Sequence, residues 1–109
     1  MTNNIQSIKG FYDVAPGVQK IWRYFESKCL SIFDQYGYEE IGLPVIEATE
    51  LFEAGVGTYT DIVEKEMYSW IDKLNDDKLT LRPEGTAGCV RAVIQGSLTY
   101  NGPIKLFYR

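Results

Sequence analysis

The chain of 109 residues contains no histidine and only two cysteines. Since structural zinc sites are built mainly from these two residue types and no Cys-x-x-Cys pair is present, a zinc site of the usual kind is excluded. Cys29 and Cys89 are predicted to be free thiols in a reducing compartment rather than a disulfide. The sequence also lacks an apolar run long enough to span a membrane and lacks a signal-peptide pattern at its first residues. These absences predict a cytoplasmic protein with no membrane contact.

An excess of basic charge is also missing. The formal net charge is −4, and acidic and basic residues are intermixed along the chain. A domain that binds nucleic acid usually carries a basic patch or stripe. If RNA is a partner, we expect its main contacts to lie outside this chain.

What is present predicts a single α+β domain, residues 1–109, of a size that can form a core. Apolar residues at steps of three and four predict a helix that begins near Pro16 and is stopped by Gly37. Thr49 is predicted to cap a short helix that continues to residue 52. Hairpins rather than regular βαβ units indicate an antiparallel sheet. Strands are predicted at residues 39–45, 67–71, 78–82 and 104–109, turns at 75–77 and 100–103, and a further helix at 86–95.

The predicted first helix carries an aromatic stripe of Trp22, Phe25 and Phe33. Such a stripe is most often the face that packs on a sheet. Aromatic residues are also enriched at subunit interfaces, so the stripe is compatible with a dimer contact.

The stretch at residues 79–92 predicts a strand, a turn and then a helix, with Glu84, Gly85 and Thr86 in the turn. Glu84 offers a negative charge, Thr86 a hydroxyl, and Gly85 an unobstructed approach, which together suit an ammonium group. The alternative is that Thr86 caps the helix and Glu84 satisfies its N-terminal dipole. Local chemistry alone favours this capping interpretation.

Four segments together resemble the histidyl-tRNA synthetase family, a branch of the class II aminoacyl-tRNA synthetases. The block Leu-Thr-Leu-Arg-Pro-Glu-Gly-Thr-Ala at residues 79–87 is the most specific of them. It is preceded by Asp-Ile-Val-Glu-Lys-Glu-Met-Tyr at 61–68. Ile-Lys-Gly-Phe-Tyr-Asp at 8–13, followed by Pro16, resembles the family's opening segment, and residues 36–47 resemble class II motif 1. The resemblance covers essentially the whole chain.

The resemblance implies part of the antiparallel class II catalytic sheet with flanking helices, cut before motif 2, so the chain looks like an N-terminal fragment. Motif 1 would span residues 16–47 and build a homodimer, with Pro44 at the interface. The turn at 82–86 would bind histidine, with Glu84 and Thr86 on the α-amino group and Gly85 between them. Arg109 falls just before the motif 2 arginine and is given no role.

By the same resemblance, the parent enzyme would use ATP and Mg²⁺ to convert L-histidine to histidyl-adenylate and would transfer the histidyl group to tRNA(His). The fragment itself is expected to contain no catalytic residue, to bind no cofactor and to be inactive alone. Arg82 and Arg91 are the cations near the turn, and both are expected to form structural or surface ion pairs.

Three alternatives remain open. One is a non-catalytic histidine sensor of the same fold, like the regulatory subunit of ATP phosphoribosyltransferase, although the intact block at residues 82–87 favours a synthetase. Another is a bare structural fragment that dimerises and binds nothing.

The third alternative concerns the role of Gly55 and Gly57. They are interpreted as a mobile loop near the substrate, which continues through Thr60 and Asp61, rather than as a phosphate-binding loop.

Overall fold

A computed structural model describes residues 4–53 and 65–109. The chain divides into two compact units, Met1–Gly37 and Tyr38–Arg109. The first unit is dominated by one helix, α1 (Pro16–Gln35). In the described residues, no helix is both long enough and apolar enough to cross a bilayer. The predicted loop at Gly55 and Gly57 lies outside the described residues.

The predicted bounds of α1 are confirmed. Pro16 occupies the first turn, where its missing N–H costs no hydrogen bond. At the other end, Gly37 adopts a φ of 76°, a left-handed conformation that glycine tolerates best. Its N–H donates to the carbonyl of Asp34 at 3.2 Å, which closes the helix.

The aromatic stripe of α1 is not a buried core face in this structure. Trp22 and Phe25 are 51% and 57% exposed, and Phe33 is half-buried. Trp22 and Phe25 contact each other edge to face, with ring centroids 6.2 Å apart. No residue of α1, whose whole length is described, is buried. The interface interpretation of the stripe therefore stays a prediction.

The described residues of the second unit form β1 (Glu39–Glu40), β2 (Ile46–Ala48), α2 (Thr49–Glu53), β3 (Ser69–Ile71), β4 (Lys78–Leu81), α3 (Thr86–Gln95) and β5 (Leu106–Phe107). Their strands form a three-stranded and a two-stranded sheet. In the larger sheet, β4 lies between β2 and β3, and both pairings are antiparallel. In the smaller sheet, β1 and β5 pair in parallel, which the sequence did not predict. The predicted hairpin is confirmed as β3 and β4, and Asp76 in its turn has a φ of 59°.

The prediction of one strand over residues 39–45 is wrong. The chain pairs with β5 only through β1, where the Ile41 N–H makes the last contact, 2.9 Å from the Phe107 carbonyl. The chain then pairs with a different strand. The Arg82 N–H donates to the Val45 carbonyl at 2.9 Å, at the start of the three-stranded sheet. Pro44, which has no N–H to donate, lies in this connection. It is exposed and is not inside a strand.

The predicted last strand is also shorter than expected, because only Leu106–Phe107 pairs with a neighbour. β1, its partner, is itself two residues long, and this limits the length of the ladder.

The centre of the second unit is small and partly polar. Among the described residues, Phe52 of α2 is the one large apolar side chain that is buried, at 1% exposure, and α2 packs against β4 and α3. Beside it, the Thr80 hydroxyl lies 2.6 Å from that of Thr49 and 2.7 Å from that of Ser69. Thr49 is the first residue of α2, and its hydroxyl is hydrogen-bonded to β4. It is therefore not the helix cap that the sequence predicts.

Candidate functional site

The strand, turn and helix predicted around residue 84 are confirmed. β4 ends at Leu81, Pro83 prevents the ladder from continuing, and α3 begins at Thr86 with Gly85 as its N-cap residue. The backbone hydrogen bond from the Arg82 N–H to the Val45 carbonyl joins the start of the turn to the residue before β2. Glu84, Gly85 and Thr86 are consequently displayed from a strand held by two neighbours.

Glu84 caps α3 in this structure. Its carboxylate accepts hydrogen bonds from the backbone N–H groups of Thr86, at Oε2, and of Ala87, at Oε1 and 3.1 Å. These N–H groups have no partner within the helix, and the carboxylate also complements the positive end of the helix dipole. The capping interpretation of Glu84 is thus confirmed. A carboxylate has about four lone-pair positions, so this capping is compatible with a further charged contact.

Thr86 does not cap the helix, so that part of the capping interpretation is wrong. It is the first helical residue, and the N-cap residue is Gly85. Its Oγ1 lies instead 3.2 Å from the Tyr108 hydroxyl, just after β5. Thr86 is exposed, whereas Glu84 and Gly85 are half-buried.

The space that Gly85 leaves open is filled by the ring of Tyr108. A Cβ placed on Gly85 would lie 2.9 Å from Cζ and 3.0 Å from Cδ2 of that ring, and closer still to Cε2. The φ of Gly85 is −101°, which other residues also adopt, so the backbone conformation does not require glycine. Sequence reasoning missed Tyr108, because alternation predicted a strand there but not which surface the ring would cover.

A cleft of about 500 Å³ lies beside the turn and is lined by residues 66–68 and 81–84. Glu84 is the member of the predicted trio that reaches it. Arg82 lines the same cleft, so charges of both signs border it. The lining also includes the apolar side chains of Met67 and Leu81 and the ring of Tyr68. Such a cleft suits a small polar ligand that also has an apolar part.

Behind the turn, Glu47 of β2 and Arg91 of α3 form an ion pair, with 3.0 Å between Oε1 and Nη2. Their side chains are 8% and 29% exposed, and Nη1 of Arg91 also donates to Oε1 of Gln95 at 2.7 Å. Gly88 allows α3 to lie close to Glu47 of β2, because a Cβ at this position would be only 3.1 Å from Oε1 of Glu47. The structural ion pair expected for Arg91 is confirmed. The sequence could not identify Glu47 as its partner, because the two are 44 positions apart.

The other residues singled out in the sequence lie away from this turn or serve the fold. Arg109 donates two hydrogen bonds to the carboxylate of Glu40, at 3.0 and 3.1 Å, and so ties the residue after Tyr108 to β1. Cys29 and Cys89 are free thiols, as predicted. In the part of the chain that the structure describes, no three acidic, cysteine or histidine side chains gather where they could hold a metal ion.

Comparison with known proteins places these features in a family. A family model described as histidyl-tRNA synthetase matches residues 10–109. The histidine–tRNA ligase of Methylobacillus flagellatus is 62% identical over 108 residues, 99% of this chain and 26% of that protein. The corresponding ligase of Halorhodospira halophila is 55% identical over 104 residues, 95% of this chain and 24% of that protein.

Solved structures agree with these matches. The apo histidyl-tRNA synthetase of S. aureus matches with a TM-score of 0.79 and 36% identity, over 96% of this chain and 24% of that one. A Bacillus halodurans protein described as an ATP phosphoribosyltransferase regulatory subunit/histidyl-tRNA synthetase has the same TM-score at 20% identity, over 99% of this chain and 27% of that one, and shares the fold.

The predicted α+β fold with its antiparallel sheet and flanking helices is thereby confirmed as that of a class II aminoacyl-tRNA synthetase. Within this class, the chain belongs to the histidyl-tRNA synthetase family. It spans about a quarter of the length of the curated relatives it matches.

Proposed function

We propose that this chain is part of a histidine–tRNA ligase. The parent enzyme activates L-histidine with ATP to histidyl-adenylate and transfers the histidyl group to tRNA(His), in the cytoplasm. The chain contributes the turn that binds the α-amino group of histidine, through Glu84, Gly85 and Thr86. The observation that carries this proposal is the half-buried Glu84 carboxylate, which lies at the edge of a cleft and two residues from the exposed Thr86 hydroxyl.

The chemistry of the turn supports an ammonium ligand. An ammonium group has only donors, and the turn offers the Glu84 carboxylate and the Thr86 hydroxyl as acceptors. Because the carboxylate is half-buried and fixed by two backbone N–H groups, it requires little reorganisation to bind a cation. ATP and Mg²⁺ are proposed for the parent enzyme, and no residue described here is assigned to either.

Replacement of Glu84 by glutamine in the full-length enzyme tests this assignment. Glutamine keeps an oxygen that can accept from the helix N-terminus but loses the charge that pairs with the ammonium group. We expect the KM for histidine in pyrophosphate exchange to rise about 10–100-fold, since hydrogen bonds to charged groups contribute about 1.5–3 kcal/mol. The KM for ATP should stay within about twofold of wild type, because Glu84 is not assigned to ATP.

The same variant separates capping from ligand binding. If Glu84 only caps α3, Glu84→Gln lowers the melting temperature and leaves the KM for histidine unchanged, which would contradict the assignment. Glu50→Gln, an exposed position in the first turn of α2, is the matched control and should change neither quantity.

The histidine-sensing alternative shares the fold but has less support from sequence. The Bacillus halodurans structure whose description includes the regulatory subunit is 20% identical to this chain, against 62% for the Methylobacillus flagellatus ligase. Formation of histidyl-adenylate by the full-length protein distinguishes the two functions, because a sensor binds histidine without consuming ATP.

We also propose that residues 16–47 build a homodimer, with Pro44 at its interface. Pro44 is exposed, as are the neighbouring Val45 and Ile46, so these apolar side chains are available to a partner. In the other unit, Trp22 and Phe25 of α1 are exposed as well.

Pro44→Asp in the full-length protein should weaken the dimer at least tenfold, because it places a charge in an apolar contact. Sedimentation or light scattering across a concentration series measures this change. Pro103→Asp, at another exposed proline, is the control. Equal dissociation constants for the two variants would remove Pro44 from the interface.

A further inference from the structure

Tyr108 contacts two of the three residues of the proposed binding turn and has no role in the assignment made so far. Its ring covers Gly85, and its hydroxyl lies 3.2 Å from Oγ1 of Thr86. Glu84, the third residue, is held separately by the N-terminus of α3. The turn is thus supported from two sides, by the helix that follows it and by a side chain that comes from after β5.

The residues on both sides of Tyr108 are hydrogen-bonded to the β1 segment, one through its backbone and the other through its side chain. The carbonyl of Phe107 accepts from the Ile41 N–H at 2.9 Å, and the guanidinium of Arg109 makes two hydrogen bonds with Glu40. Both partners lie on β1 or directly after it. Tyr108 is therefore presented to the turn from the end of the ladder between β1 and β5.

The hydroxyl of Tyr108 is a hydrogen-bond partner for the Thr86 hydroxyl, and either of the two can donate to the other. A threonine hydroxyl has one proton and two lone pairs, whereas an ammonium ligand can only donate. Thr86 must therefore accept from the ammonium group and direct its own proton elsewhere. The Tyr108 oxygen, 3.2 Å away, can accept that proton. A lone pair of Thr86 then remains available to accept from an ammonium group.

The ring of Tyr108 also explains the residue at position 85. The backbone there does not demand glycine, but a Cβ would collide with the ring. Glycine is needed at this position so that Tyr108 can approach Thr86, and a larger residue would push the ring away and break the contact between the two hydroxyls.

We infer that Tyr108 is a positioning residue for ammonium recognition: its ring sets the requirement for Gly85 and its hydroxyl orients Thr86. This inference rests on the proposed function of the Glu84–Thr86 turn. It assigns to Tyr108 no contact with histidine itself.

Tyr108→Phe in the full-length enzyme is the direct test, because it keeps the ring over Gly85 and removes only the hydroxyl. We expect the KM for histidine in pyrophosphate exchange to rise about 3–10-fold, the size of one neutral hydrogen bond, with the KM for ATP and the melting temperature unchanged. Tyr100→Phe, at a tyrosine that is 88% exposed, is the matched control and should leave all three values unchanged.

A double-mutant cycle with Thr86→Val establishes the route of the effect. In the Thr86→Val background, Tyr108→Phe should have no further effect on the KM for histidine, because the oriented hydroxyl is gone. An equal effect of Tyr108→Phe in both backgrounds would overturn the inference.

A second cycle, measured by thermal unfolding, does not depend on histidine. Gly85→Ala should lower the melting temperature when Tyr108 is present and much less when Tyr108 is replaced by alanine. Additive effects of the two changes would overturn the role given to the ring.

The two proposals fail in different ways. If Glu84→Gln raises the KM for histidine and Tyr108→Phe does not, the proposed function stands and the inference about Tyr108 is wrong. If neither variant changes the KM for histidine, the assignment of the whole turn is overturned, including the orienting role of Tyr108.

Discussion

Replacing Phe52 by alanine should lower the free energy of unfolding of this chain by about 3–5 kcal/mol, the range typical of buried phenylalanines. Phe52 is 1% exposed and belongs to α2, which packs on β4 and α3. No other large apolar side chain of the described residues is buried. The loss of its ring therefore leaves a cavity that no second buried apolar side chain is at hand to fill.

Urea unfolding followed by tryptophan fluorescence measures this loss. The chain has two tryptophans, and Trp22→Phe leaves Trp70 of β3 as the single reporter on the unit that contains Phe52. Tyr100→Ala removes an aromatic ring that is 88% exposed and should change stability by no more than about 0.5 kcal/mol. A loss for Phe52→Ala as small as that control would show that Phe52 is not the centre of the packing.

Breaking the ion pair between β2 and α3 should have the next largest effect on stability. Glu47→Ala leaves the largely buried guanidinium of Arg91 without its carboxylate, although Gln95 still accepts one hydrogen bond. Removing one member of a buried pair costs about 3–5 kcal/mol. Since Arg91 keeps 29% exposure to water, we expect a loss near the lower limit, about 3 kcal/mol, in the same unfolding experiment.

The chain supplies a matched control for this prediction. Glu40 and Arg109 also form a Glu–Arg pair, but their side chains are 38% and 52% exposed. Glu40→Ala should therefore cost less than about 1 kcal/mol. The double variant Glu47→Leu/Arg91→Leu should recover much of the stability lost in Glu47→Ala, because it leaves no buried charge unpaired. Similar losses for Glu47→Ala and Glu40→Ala would contradict the distinction.

The fixing of α3 by Glu47 and Arg91 also affects the proposed binding turn. Thr86 is the first residue of α3, and Arg91 lies five positions later on the same helix. Loosening the helix at Arg91 therefore disturbs the backbone N–H groups of Thr86 and Ala87 that hold the Glu84 carboxylate. Stability and histidine affinity should both fall in Glu47→Ala, whereas Tyr108→Phe should change the affinity alone.

Local sequence was sufficient where a structure depends on neighbouring residues. Helix α1 begins at Pro16 because the first turn of a helix does not need the N–H that proline lacks. It is closed by Gly37 because glycine readily adopts a positive φ. The turn between β4 and α3 follows from Pro83, and the capping role of Glu84 from its position just before a helix N-terminus. The family followed from the residues at 79–87, whose order local physics does not explain.

Tertiary structure decided what depends on residues far apart in the chain. The sequence predicts one strand over residues 39–45, but the backbone hydrogen bonds of this segment pass from Phe107 to Arg82. Only the positions of both sheets reveal this change of partner. Pairing of Glu47 with Arg91, and of Tyr108 with Gly85 and Thr86, joins positions 22–44 apart that no periodic pattern connects. The sequence by itself thus determined the local elements and the chemistry of Glu84, since both depend on adjacent atoms. Only the tertiary structure decided which side chains support that chemistry, because Tyr108 after β5 and Glu47 of β2 are distant in sequence from the turn and the helix that they contact.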